Sequence, residues 1–123
     1  MSIPDPIEMV VGILSDALDA TVSTEMPGTA KSPASLPCRY VMVALAGDMS
    51  TELLLMPRMA LTCWGTSDRD AHSLAVSAWQ ALAEAATEHP LLSSCQLETM
   101  SRDEWGNTGA SRYFMELDLT INV

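Results

Sequence analysis

The stretch from Arg58 to Glu88 constrains this chain more than any other, because in it an alternating strand breaks at Trp64-Gly65 and reverses into a long helix with its own start signal. Arg58, Ala60, Thr62 and Trp64 fall on one side of a period of two, and Met59, Leu61 and Cys63 on the other. Ser67 stands where an N-cap belongs. Asp70, three residues on, makes a variant of the capping box, and Asp68 and Asp70 place negative charge where the helix dipole favours it. The spacing predicts a helix that starts at Asp68 and ends before His89-Pro90. Ala71, Leu74, Ala75, Ala78, Leu82 and Ala85 form its apolar arc, with Trp79 at the edge. An arc so rich in alanine lets the helix axis lie close to a sheet, and the strand just before it is the obvious member of that sheet.

The remaining elements are predicted around this unit. Asp5-Pro6-Ile7-Glu8 resembles a capping box with proline at the first helical position, so a helix is expected from about Pro6 to Asp19. Ile7, Val10, Val11, Leu14, Ala17 and Leu18 make its core stripe. Met9 and Ile13 lie outside that arc, either as ordinary surface apolars or as a stripe for a partner. Thr21 to Met26 fits a short edge strand, and the Pro/Gly/Ser-rich run after it a loop. Arg39 to Ala46 is apolar on both faces, which suits a central strand. Pro57 marks a bend or a strand entry. Ser94 to Met100 alternates. Ser101 to Ser111 is expected to be a loop with Trp105 exposed on it, and Ser111 to Val123 alternates cleanly apart from Phe114. The expected fold is α+β, a single domain over residues 1–123 with a mostly antiparallel sheet of four to five strands and both helices on one face, in the order α-β-β-β-α-β-β. The other face would carry Arg58, Thr62, Gln96, Glu98, Glu116, Asp118 and Thr120.

Composition narrows the function classes. A chain of 123 residues is one ordinary domain, and with 48% hydrophobic residues but few aromatics its core must draw on aliphatics and methionine. Three cysteines, odd in number and widely spaced, argue against a disulfide framework or a cysteine zinc site. With no signal peptide and no apolar run of membrane-spanning length, a soluble protein made in a reducing compartment is expected. A formal charge of −10 repels phosphate backbones and anionic lipid. His72 and His89 lack spaced ligand partners, no Gly-rich phosphate loop or nucleophile elbow is present, and Ser67 is already used as a cap. Glu98, Glu116 and Asp118 could approach one another across strands as a general acid and base, but a solvated sheet face is the plainer reading. Neither a catalytic residue nor a cofactor is expected. Trp79 reads as core, Trp64 as packing where strand meets helix, and Trp105 as the best single candidate for a partner contact.

One family resemblance emerges from these residues. Pro57-Arg58-Met59 leading to Cys63-Trp64-Gly65, then Ser67 with Asp70-Ala71-His72 and Leu74-Ala75, and later Thr108-Gly109 with Arg112-Tyr113, resemble the tail terminator proteins of long-tailed, non-contractile bacteriophages and prophages. The resemblance spans Pro57 to Val123 and implies a small structural subunit with no enzymatic activity. Such a subunit forms a ring, a hexamer, on the head-proximal end of the tail tube, stops tube polymerisation and offers a surface to the head-completion protein. It implies a virion location after assembly in the host cytoplasm. DNA would pass through the ring without specific binding, and no membrane partner is implied. On this reading Trp105, Met9, Ile13, Arg102 and Arg112 are the candidates for partner contacts, and Glu98, Glu116 and Asp118 for the channel wall. A head-tail stopper or connector, or a small ligand-binding or enzymatic α+β domain, are the alternatives.

Overall fold

The computed structural model describes residues 5–25, 39–48, 50, 54–104 and 111–122. Helix α1 (Pro6–Ala17) is followed by strands β1 (Thr21–Ser23), β2 (Tyr40–Asp48), β3 (Leu54–Leu55) and β4 (Pro57–Gly65), helix α2 (Asp68–Glu88), and strands β5 (Leu92–Glu104) and β6 (Ser111–Asn122). The fold class is the expected α+β. The sheet has six strands, one more than the upper expectation, because Leu54 and Leu55 pair with Asn122 and Ile121 as a separate short strand.

Strand β6 pairs with three others. One of its edges takes β4 and then β3, and the other takes β5 along almost its whole length. Beyond β4 lie β2, antiparallel, and β1, the one parallel pairing among the described residues. Among those residues that short strand is the only cover on the outer edge of β2, so the doubly apolar Arg39–Ala46 run sits next to the sheet's margin. The sheet is mixed, though mostly antiparallel.

Caps account for the helix starts. Asp5 Oδ1 accepts from the backbone N–H of Ile7 at 3.0 Å and of Glu8 at 3.4 Å. Ser67 Oγ accepts from the Asp70 N–H at 3.1 Å, while the Asp70 carboxylate reaches back past the cap to accept from Thr66 N at 3.0 Å. Helix α1 stops at Ala17, two residues short of the expected end. Leu18 turns extended there, and the Asp19 carbonyl accepts from Arg39 Nη1 at 3.0 Å, which brings the chain alongside β2.

Both helices cover one sheet face, and the core lies between. Ala71, Leu74, Ala75, Ala78 and Leu82 of α2 and Val10 and Leu14 of α1 meet Val41, Val43, Met59, Leu61, Cys63, Met115, Leu117, Leu119 and Ile121, all essentially without solvent contact. The close approach of α2 rests on Gly65. A methyl group on its Cα would stand 2.7 Å from the Ala71 Cα and 2.8 Å from the Asp70 carbonyl carbon, so no larger residue fits between strand and helix.

Two departures in β5 have one cause. Its pairing with β6 shifts register at Leu92/Ser94 and again at Leu97/Thr99. Each bulge advances the period by one residue, so Thr99 is exposed and Met100 half-buried against the core, where a strict alternation from Cys95 would have it the other way round. The strand then continues through Ser101 to Glu104, residues expected in a loop, because each finds a partner from Phe114 back to Ser111.

Candidate functional site

The sheet face opposite the helices collects polar side chains into rows. Arg58 of β4 faces Asp118 of β6, which faces Gln96 of β5; the next row holds Ala60, Glu116 and Thr99, and the next Thr62, Phe114 and Ser101. Phe114, the misfit in the β6 alternation, is therefore a half-buried aromatic on the polar face.

Arg58 organises the charge on this face. Its Nε donates to Asp118 Oδ1 at 2.7 Å and its Nη2 to Asp118 Oδ2 at 3.0 Å, while Nη1 stands 4.0 Å from Glu116 Oε2. The Arg58 hydrogen bonds hold the Asp118 carboxyl below its ordinary range, against a smaller opposing effect of burial, and a hydrogen bond with Glu98 lowers it further. Asp118 raises the Arg58 guanidinium in turn. Glu98, Glu116 and Asp118, expected together from the alternation, do share one patch, with Arg58 at its centre.

Beside that patch lies a groove of about 350 Å³, lined among others by Gly47, Asp48, Met56, Arg58, Glu116 and Asp118. Strand β2 slips register between Leu45 and Gly47 as it reaches the groove. Asp48 is fixed there by Ser50, whose N–H donates to Oδ1 at 2.8 Å and whose hydroxyl also bonds it; the hydroxyl oxygen in turn accepts from Met56 N at 2.9 Å. Those Ser50 bonds hold the Asp48 carboxyl low, the side-chain bond most of all. Periodicity could not have shown the groove, because a bulge leaves no mark in a hydropathy pattern.

The other candidates are placed as follows. Arg102 Nη2 pairs with Asp68 Oδ2 at 3.1 Å, tying β5 to the first turn of α2. The Arg112 guanidinium carbon stands 5.8 Å from the centre of the Trp64 ring. Trp64 is fully buried, with its ring edge-on to Tyr40 at 5.8 Å; it stands at the end of the strand that runs into α2 and, by alternation with Cys63, on the face away from that helix. Met9 and Ile13 are half-buried and pack against the core margin, as does Trp79. Trp105 lies outside the described residues. Both histidines have local work: His72 packs edge-on to Tyr113 at 5.1 Å, and His89 Nδ1 accepts from Leu91 N at 3.1 Å just past the end of α2.

Among the described residues no three or more His, Cys, Asp or Glu side chains are grouped to hold a metal ion, and no helix is long and apolar enough to cross a membrane. The patch offers one fixed cation among carboxylates, an arrangement suited to ionic contact.

No family model matches the chain, and no curated protein matches it. Among solved structures, it shares its fold with a chain from a structure described as the virion of a native gene transfer agent (GTA) particle. The TM-score is 0.60 at 14% identity, over 97% of this chain and 87% of the other.

Proposed function

We propose that this chain is a structural subunit of a phage-like virion, a tail terminator that closes into a hexameric ring on the head-proximal end of the tail tube. There it stops tube polymerisation and presents a surface to the head-completion protein. The observation that carries this reading is the fold shared, over nearly the full length of both chains, with a component of a gene transfer agent virion. The motif resemblance from Pro57 to Val123 supports the terminator position within such a particle. A surface that spends its polar groups on ionic contacts also suits an assembly role, whereas catalysis needs convergent groups around a reacting atom.

In this reading the sheet face opposite the helices turns towards the channel, with Glu98 and the parts of Glu116 and Asp118 outside the groove on its wall, where negative charge keeps DNA hydrated and moving. Trp105 and the open parts of Met9 and Ile13 serve partner contacts. Arg102 and Arg112, engaged with Asp68 and Trp64 inside the subunit, would act there mainly by shaping the surface.

Deletion of the gene from the phage or prophage that carries it tests the position directly. Electron microscopy of the lysate should show tubes of uncontrolled length that do not join heads, and a copy of the gene supplied in trans should restore uniform tails. Normal tails beside unjoined, leaking heads would place the protein on the head side instead, as a stopper. Unaltered particles would overturn the virion role.

A further inference from the structure

The two ends of strand β4 differ in charge. At its start lies the groove, where the one guanidinium of Arg58 faces the carboxylates of Asp48, Glu116 and Asp118. Arg58 commits its two short bonds to Asp118, so Asp48 and Glu116 keep acceptor capacity, and among the described residues Asp48 meets Ser50 but no cation. Two large apolar side chains are exposed near it, Leu45 at 46% and Met56 at 37%.

At the other end, past Gly65, stands the first turn of α2. Asp68 is neutralised by Arg102 at 3.1 Å and Asp70 by Arg39 at 3.4 Å. Arg69 lies between them, exposed and, among the described residues, without an ion pair or hydrogen bond. The aligned peptide dipoles of α2 add positive potential at the same place. The seven residue steps along β4 from Arg58 to Gly65 set the two ends roughly 23 Å apart at ordinary strand rise.

We propose that the groove seats Arg69 of a second copy of this chain, as the ionic contact of a head-to-tail seam between ring neighbours. The inference rests on the ring reading above and names the surfaces that would close it. A contact whose two halves lie at opposite ends of the subunit is heterologous, and repeated by rotation it closes a ring. The chemistry fits a guanidinium in particular. Met56 in the groove lining offers apolar wall for the methylene stem, and the Asp48 and Glu116 carboxylates accept its planar fork. Phosphate and anionic lipid are repelled by the same carboxylates. Seating the pair in a groove also matters for its strength, because an ion pair left in open water contributes little, and one shielded by a neighbour contributes more.

The test is a charge exchange in the full-length chain, read by native mass spectrometry of the free protein and by electron microscopy of purified tails. Arg69→Glu and Asp48→Lys should each weaken ring association about tenfold or more, while Arg69→Glu combined with Asp48→Lys restores it. Both side chains are exposed and outside the core, so Arg69→Glu should leave the melting temperature unmoved and Asp48→Lys, which loses the Ser50 bonds, should lower it only slightly; Arg69→Ala, with no new charge, should show the same association defect in milder form. If wild-type rings form and either single exchange leaves the ring population within about twofold of wild type, the seam lies elsewhere. If the single variants form rings but no longer hold the tail tube, the groove's occupant is the tube protein and the proposal is overturned. If the wild-type chain closes no ring either in solution or on tails, the ring reading itself has failed, which is a separate result.

Discussion

Arg58 and Asp118 meet as a fork across β4 and β6, with two parallel bonds of 2.7 and 3.0 Å. The bond depresses the Asp118 carboxyl below its ordinary 3.8. A group whose folded pKa is depressed contributes stability above its unfolded value and loses it as pH falls through the folded one. The urea midpoint of the wild type should therefore fall towards that of Asp118→Asn as the solution is taken from about pH 5 to pH 2. Both side chains keep contact with water, so the effect is modest, and Arg58→Lys should remove much of it despite keeping the charge. A constant gap between wild type and Asp118→Asn across that range would show that the fork does not outlast solvation.

Helix α2 is held through Leu74 and Leu82, both fully buried against the sheet. Either Leu→Ala change should cost about 2–5 kcal/mol in chemical unfolding, since each leaves a cavity that the alanine-rich arc has little material to fill. Losses under about 0.5 kcal/mol for both would be incompatible with this packing.

Gly65→Ala is expected to be as damaging as a core truncation although it adds a single methyl group. The atoms that methyl would meet are backbone, at Asp70 and Ala71, which cannot swing aside as a side chain would. The turn must open, and about 1–3 kcal/mol or more should be lost. A variant melting with the wild type would mean that α2 slides without resistance.

Burial pushes the Cys63 thiol up to about 12 and the Cys95 thiol to about 11. At pH 8 the reactive thiolate is a very small fraction of either, and Cys63 is closed to solvent besides. In a Cys38→Ser background, a thiol reagent should label Cys95 slowly and Cys63 only as fast as the protein unfolds, with urea releasing both. Both folded values lie above the unfolded one, so stability should decline as pH rises from about 9 towards 12. Rapid labelling of native Cys63 would contradict its place under α2.

Much of the fold was legible in the sequence because its signals are local. The alternation from Arg58 to Trp64, the Ser67 cap, the alanine arc and the β6 alternation are each properties of a few adjacent residues, and each holds in the structure. What escaped depends on residues far apart. The bulges at Leu45/Gly47 and Leu97/Thr99 arise from pairing, so neither the groove nor the outward turn of Thr99 was visible. The partners of Arg39 and Arg102 are carboxylates on α2, brought close only when helix and sheet pack. The three acids of the polar face could be grouped from alternation alone, but the fork that Arg58 makes with one of them needed the register of β4 against β6.

The pairing of β6 with three other strands has a consequence for the order of events during synthesis. Strands β3, β4 and β5 all pair with β6, yet β6 is the last of the described elements to leave the ribosome. Residues 57–104 can emerge with α2 folded on β4, but β5 has no strand beside it until Ser111–Asn122 arrives, on the order of seconds later. Until then Met59 and Leu61 are without the Leu117 and Met115 that close them in. The nascent chain thus passes through a period in which its adhesive surfaces are those of an unfinished sheet, and a chaperone or a slow codon at that point would govern yield without touching the stability of the finished subunit.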